Sequence, residues 1–218
     1  MAIEDKLVIS EIYESIQGES TFAGLPCAFI RTTGCNLRCV WCDTQYAFHH
    51  GNRMSRGVVR DRALAFRTRL VEVTGGEPLL QPGVIPLLSE LCDSGRTVLL
   101  ETSGEADVSP VDRRVRKIMD VKCPGSGQAH RNRWENLDHI GPSDELKFVL
   151  SNSTDYEWMV DTIRSRELTG RTPHILASVV FGKLTLKELA EWVIRDGVFV
   201  RVQVQLHKLI WGSEATGV

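Results

Sequence analysis

Three cysteines, Cys35, Cys39 and Cys42, stand in the stretch Arg-Thr-Thr-Gly-Cys-Asn-Leu-Arg-Cys-Val-Trp-Cys-Asp-Thr over positions 31–44. Thiolates are soft metal ligands, and the C-x3-C-x2-C spacing gives three of them to one centre if the chain curls. On a helix these positions would share a face as a buried stripe. At ~1.5 Å rise per residue, however, the outer pair would then sit ~10 Å apart. Gly34 and Asn36 flank Cys35 and favour a loop that curls. Three converging thiolates suit three irons of a 4Fe–4S cube, whose usual set is four cysteines. The fourth iron then stays open to a substrate or cofactor. The competing metal is zinc in a Cys3His site with His49 or His50, although neither histidine has a finger-like spacing.

Such a loop needs a scaffold. Strand-like runs recur at 7–12, 27–32, 70–74, 97–101, 117–121, 146–150, 174–180 and 199–204. Amphipathic helices are expected at 82–93, 155–167 and 186–195, the last with Thr185 as N-cap and Glu188 at capping-box distance. Interleaved strands and helices predict a mostly parallel sheet with crossovers. Polar residues repeatedly follow the carboxyl ends of strands: Thr32 to Cys35, Gly75-Gly76-Glu77-Pro78, Thr102-Ser103-Gly104 and Lys122-Cys123-Pro124. So many strand ends feeding one site ask for a curved sheet. A full eight-unit barrel usually needs ~250 residues, and several crossovers are too short for a helix. The expected class is therefore α/β, an open partial (β/α) barrel of mostly parallel strands in a single domain over 1–218.

Of the 218 residues 42% are hydrophobic and 25% charged, the balance of an ordinary soluble globular protein. A formal net charge of −2 gives no overall basic field for nucleic acid. No apolar run approaches a membrane span, and the start of the sequence has no signal-peptide character, so a cytoplasmic location is expected. In a reducing compartment the cysteines more readily bind metal than pair. Cys27, Cys92 and Cys123 stand apart from the cluster and are expected as small buried residues. Arg53, Arg56, Arg60, Arg62, Arg67 and Arg69 crowd one segment opposed only by Asp61. They read either as a solvated helix face or as a docking patch for an acidic electron donor such as a flavodoxin.

The cysteine spacing, with aromatic Trp41 before the last thiol, resembles the signature of the radical S-adenosylmethionine (SAM) enzymes. Gly75-Gly76-Glu77-Pro78 after a strand is similar to that family's second mark, a turn holding the SAM amino group. The resemblance implies a partial-barrel core, a [4Fe-4S] cluster on Cys35, Cys39 and Cys42, and SAM chelated at the open iron. By matching positions it implies SAM contacts at Trp41, Cys42, Asp43, Gly76, Glu77, Ser103 and Lys122.

Within that group, Ser15-Ile16-Gln17-Gly18-Glu19-Ser20 and the later Gln203-Val204-Gln205-Leu206-His207-Lys208 with Trp211-Gly212 resemble the 7-carboxy-7-deazaguanine synthase family. That family converts 6-carboxy-5,6,7,8-tetrahydropterin into 7-carboxy-7-deazaguanine, on the route to queuosine and other deazapurines. The resemblance implies a lyase that abstracts the C6 hydrogen, contracts the ring, loses ammonia and regenerates SAM. It further implies Mg²⁺ on Thr44 and a homodimer.

The residues suit those roles. The Gln17 amide and the backbone of Ile16 and Gly18 can match the donor and acceptor row of a pterin. Arg31 can pair with the substrate carboxylate through its planar fork, or serve as an ion-pair partner of Glu19. Thr74 is the implied further substrate contact. His207 reads equally as a site residue or as a satisfied core histidine on the last strand. The rivals are another radical SAM enzyme, such as a glycyl-radical activase, and a non-catalytic iron–sulfur protein. The first lacks a use for Gln17–Glu19, and the second for Gly75–Pro78.

Overall fold

The computed structural model describes residues 6–212 together with Ala215 and Gly217. Alternation of apolar side chains builds nine strands among them: β1 (Lys6–Ile16), β2 (Pro26–Thr32), β3 (Asn52–Ser55), β4 (Leu70–Gly75), β5 (Thr97–Thr102), β6 (Arg116–Asp120), β7 (Glu145–Leu150), β8 (Ile175–Val179) and β9 (Arg201–Val202). They form one sheet in the order β3-β1-β2-β4-β5-β6-β7-β8-β9. From β2 to β9 every neighbouring pair is parallel, and β1 runs antiparallel to both β2 and β3. The sheet does not close, as expected for a partial barrel.

Helices α1 (Arg56–Leu64), α2 (Val84–Asp93), α3 (Ser153–Ser165) and α4 (Leu186–Asp196) provide crossovers, and α5 (Leu206–Trp211) follows β9. The β5–β6 and β6–β7 connections carry no α-helix. Helix α4 starts as its sequence dictates. Glu188 N–H donates to Thr185 Oγ1 at 3.2 Å, and Thr185 N–H donates back to Glu188 Oε2 at 3.0 Å. Gly197, at φ 59, ends it in the left-handed conformation that costs glycine little.

Four elements differ from the sequence reading. β1 runs on to Ile16 because its partner β2 continues to Pro26. β3 and α1 occupy the arginine-rich stretch, whose low hydrophobicity hid them; Val59 and Ala63 alone are fully buried on α1. The segment expected as a last strand over 199–204 keeps only two strand residues before turning into α5.

The two faces of the sheet have different chemistry. One, with Ala28, Ile30, Val71, Val73, Val98 and Leu100, packs under α1 and α2, and a second apolar cluster joins β6–β8 to α3 and α4. On the opposite face Cys27, Phe29, Leu70, Leu99 and Ile118 form a small apolar floor. Because strand side chains alternate with period two, the next residues on that face are Arg31, Glu72, Thr74, Glu101 and Asp120. A polar layer therefore lies toward the carboxyl ends of the strands, with Glu72 level with Phe29 and Leu99 of the apolar floor.

Candidate active site

That polar layer lines a cavity of about 1030 Å³. The cysteine loop forms one wall. It is irregular from 33 to 44, as curling requires, and Gly34 has φ 97. The Arg38 guanidinium turns back to donate to the Cys35 carbonyl at 2.8 Å and stacks 4.4 Å from the Phe48 ring centre. Val40 N–H donates to the Ser126 carbonyl, pinning the loop to the turn after β6. The Cys35, Cys39 and Cys42 thiols are half-buried and all line the cavity, and desolvation pushes each of them up. Among the described residues, no three His, Cys, Asp or Glu side chains converge to hold a single metal ion. His49 and His50 do not complete a zinc-like set with the thiols.

Gly75 and Gly76 serve packing as well as access. Gly75 sits at φ 144, and a Cβ at Gly76 would clash with the Gly34 carbonyl and lie 2.7 Å from Cys35 Cβ. The turn after β4 is thus pressed against the root of the cysteine loop, and Glu77 N–H donates to the Gly34 carbonyl at 2.9 Å. Glu77, expected at the cofactor, is not among the residues lining the cavity. It is wholly buried and accepts from Thr102 Oγ1, Ser103 N–H, Ser103 Oγ and Leu79 N–H. It knots the β4 and β5 turns together, and Ser103 spends its hydroxyl there. Lys122 lines the cavity with its Nζ 2.6 Å from Asp120 Oδ2.

Ile16, Gln17, Gly18, Arg31, Thr74, Trp41, Asp43 and Thr44 also line the cavity. The Gln17 amide is engaged within the protein through one N–H and one lone pair. Its Nε2 donates to Glu72 Oε2 at 2.8 Å, and its Oε1 accepts from Glu19 N–H at 2.7 Å. Arg31 pairs with Glu11 rather than Glu19: Nε donates to Glu11 Oε1 at 2.7 Å and a terminal nitrogen to the Tyr13 hydroxyl at 3.0 Å. Two arms of its fork are therefore engaged within the protein. Thr74 Oγ1 donates to Glu101 Oε2 at 2.9 Å. Thr44 stands at the N-cap position of the turn Gln45–Phe48 but makes no capping bond; its hydroxyl donates to Asp43 Oδ1 at 3.0 Å.

Sequence reading missed the charged centre of the cavity. Lys147 Nζ, 9% exposed, contacts Glu19 Oε2 at 2.6 Å and Glu101 Oε1 at 2.5 Å. Burial opposes its charge, but the carboxylates outweigh burial and hold the ammonium well above the ordinary lysine range. The same ammonium overcomes burial at Glu101 and holds that carboxyl at about 2. At Glu72, burial first and the Glu101 charge second push the carboxyl up to about 8. The available signal was a charged residue on alternate positions of otherwise apolar strands, as in Leu-Val-Glu-Val-Thr.

The C-terminal segment covers the mouth. Leu206 N–H donates to the Gly18 carbonyl, Gln205 Nε2 to Glu19 Oε1, and Lys208 Nζ to Asp43 Oδ2. His207 lies on α5, not on a strand, and lines the cavity. Its ring is so close to Gly18 that a Cβ there would collide with Nδ1. Helix α5 thus ties the loop after β1 to the cysteine loop.

Residues 29–193 match the family model of the radical SAM superfamily. A relative from Chlorobaculum tepidum named 7-carboxy-7-deazaguanine synthase is 47% identical, with all of both chains covered. One of the same name from Koribacter versatilis is 43% identical over 96% of this chain and 99% of its own. The crystal structure of QueE from Escherichia coli superposes with a TM-score of 0.74 at 22% identity, covering 93% of this chain and 95% of that one. Among the described residues, no helix is long and apolar enough to cross a membrane.

Proposed function

The chain belongs to the radical SAM superfamily and, within it, to the 7-carboxy-7-deazaguanine synthase family, and on that premise we propose how its cavity serves the reaction. The protein is a radical SAM lyase of queuosine biosynthesis that converts 6-carboxy-5,6,7,8-tetrahydropterin to 7-carboxy-7-deazaguanine with loss of ammonia. One observation carries the assignment of the site. Every residue named from the sequence for cluster, SAM, metal ion and substrate, Glu77 excepted, lines the same cavity.

The residues fit the cofactors. Three thiols on one curled loop, all lining one cavity, answer to three irons of a cube. Asp120 Oδ1 is buried in the cavity wall without a hydrogen-bond partner, with Lys147 Nζ 3.9 Å away. When bound, the reduced cluster and SAM supply the radical that removes hydrogen from the substrate. Cys35, Cys39 and Cys42 hold the cluster, and the backbone of Trp41 to Asp43 and Gly76 borders SAM, with Ser103 and Lys122. Glu77 serves that side by fixing the Gly76 and Ser103 turns.

On the substrate side the backbone of Ile16 to Gly18 and Thr74 contact the pterin. The remaining terminal nitrogen of Arg31 meets its carboxylate. Gln17 stiffens the loop and α5 excludes water from above. Thr44, whose hydroxyl is not used for capping, is a hard oxygen ligand for Mg²⁺. Thr44→Val should abolish the Mg²⁺ response of turnover and leave iron content unchanged. An acidic one-electron donor such as flavodoxin docks on the exposed members of the basic stretch, Arg53, Arg62, Arg67 and Arg69. Arg60 is compensated by Asp61 and Glu90, and Arg56 by Glu90. Assembly as a homodimer is read by light scattering.

The test of the synthase reading is anaerobic incubation of reconstituted protein with SAM, reductant, Mg²⁺ and 6-carboxytetrahydropterin. Mass spectrometry should detect 7-carboxy-7-deazaguanine. Its absence from cluster-loaded protein contradicts the reading.

A further inference from the structure

Five carboxylates line the cavity: Glu19, Asp43, Glu72, Glu101 and Asp120. Four of them have a lysine partner. Lys147 lies against Glu19 and Glu101, Lys122 against Asp120, and Lys208 against Asp43. Glu72 has no cation within ion-pair distance among the described residues. Its one hydrogen bond comes from the neutral Gln17 amide, to Oε2. Oε1 has no partner among the described residues, yet it is not sealed away as the Asp120 oxygen is. A 2%-exposed carboxylate with one oxygen fixed and the other open to a cavity lacks donors.

We propose that Glu72 is a specificity-determining residue of this chain, accepting the vicinal N–H donors of a 2-aminopyrimidin-4-one edge. The proposal rests on the synthase reading above and names the group that selects the heterocycle. A carboxylate is acceptor-only when ionised, and two adjacent N–H groups on a flat ring match its oxygens as a guanidinium does. Position agrees with the role. Glu72 stands in the middle of β4, level with Phe29 and Leu99 and two residues beyond Leu70, at the rim of an apolar floor against which a flat ring can lie. Arg31, one layer further toward the carboxyl ends, is placed for the carboxylate at the ring's other end. Gln17 orients Glu72 by its hydrogen bond to Oε2.

Charge agrees as well. The groups facing Glu72 are Tyr13 from β1, Glu19 from the loop after β1, Cys27 from β2, Glu101 from β5 and Lys147 from β7. Burial and Glu101 disfavour its anion in the absence of ligand, so a ligand bringing two donors restores what the site lacks.

The test compares equilibrium binding of 6-carboxypterin and 6-carboxylumazine, which carry an amino and an oxo group respectively at ring position 2. Cluster-loaded wild type, Glu72→Gln and Glu72→Val are measured with SAM present, alongside wild-type turnover. Wild type should prefer 6-carboxypterin by roughly ten- to hundredfold, as expected for a charge-assisted hydrogen bond. Both variants should lose that preference and keep wild-type iron content and SAM affinity. Retained preference in the variants overturns the assignment. So does a wild type that turns over the substrate but does not discriminate, or a variant that loses cluster and SAM binding as well. A wild type that binds iron and SAM but does not turn over 6-carboxytetrahydropterin overturns the synthase reading, and the assignment falls with it.

Discussion

Lys147 Nζ lies 2.6 Å from Glu19 Oε2, a contact that joins β7 to the loop after β1 across 128 residues of sequence. The same nitrogen reaches Glu101, so one buried ammonium holds two carboxylates, one from β5 and one from the loop after β1. Lys147→Met keeps an unbranched side chain one atom shorter and strands both carboxylates. Breaking a buried pair costs about 3–5 kcal/mol, so the denaturation midpoint should fall accordingly. Adding Glu101→Gln to Lys147→Met should recover part of the loss, because the uncompensated charge is removed. Additive single losses in the double-mutant cycle would show that the two side chains are energetically independent.

Glu77 is the case in which a familiar motif residue acts through its neighbours. Glu77→Ala removes the acceptor for Thr102, Ser103 and Leu79. Each buried donor left unpaired costs about 1–3 kcal/mol, and chemical denaturation should register at least about 2 kcal/mol in total. Glu77→Gln, which keeps one carbonyl acceptor, should lie between the two. A variant as stable as wild type but deficient in SAM binding would return Glu77 to direct cofactor contact.

What the sequence made legible follows from these residues. Cys35, Cys39 and Cys42 advertise themselves by type and spacing, and the apolar runs over β2, β4, β5 and β7 by composition. Thr185 and Glu188 predict a capping box because its two bonds span only four residues. Gln17–Glu72, Arg31–Glu11 and Glu77–Ser103 are different in kind. Their partners lie 55, 20 and 26 positions apart, and register between strands decides which carboxylate meets which donor. Hence side chains assigned to a ligand from sequence prove in the fold to be engaged with one another. β3 and α1 were hidden for a simpler reason, since a sparsely buried edge strand and a charged helix carry little apolar periodicity.

The pH dependence of stability should carry the mark of Glu72. Its folded carboxyl is raised from the ordinary range to about 8, so folding favours the protonated form. The contribution is full below the unfolded value and is lost as pH rises through about 8. Glu72→Gln removes that titration. Its melting temperature relative to wild type should therefore climb between about pH 5 and pH 9. A difference that stays constant or declines over this window contradicts the sign of the shift.

The cysteines divide into two groups. Cys35→Ala, Cys39→Ala and Cys42→Ala should each abolish cluster assembly and turnover, because a cube held by three thiolates has none to spare. Cys92, on α2 and partly buried against the core, lies outside the cavity, and Cys92→Ala should keep both properties. Iron and sulfide analysis with the visible absorbance of reconstituted protein decides each case. A full cluster in any of the first three would remove that cysteine from the ligand set.

The central claim is that this cavity holds a pterin beside a SAM that is reused. The most direct measurement follows product, ammonia and SAM together during anaerobic turnover of 6-carboxytetrahydropterin by the reconstituted protein. The expected result is one 7-carboxy-7-deazaguanine and one ammonia per substrate consumed, with the SAM concentration unchanged over many turnovers. Loss of SAM to 5′-deoxyadenosine and methionine, with no deazaguanine formed, would contradict it.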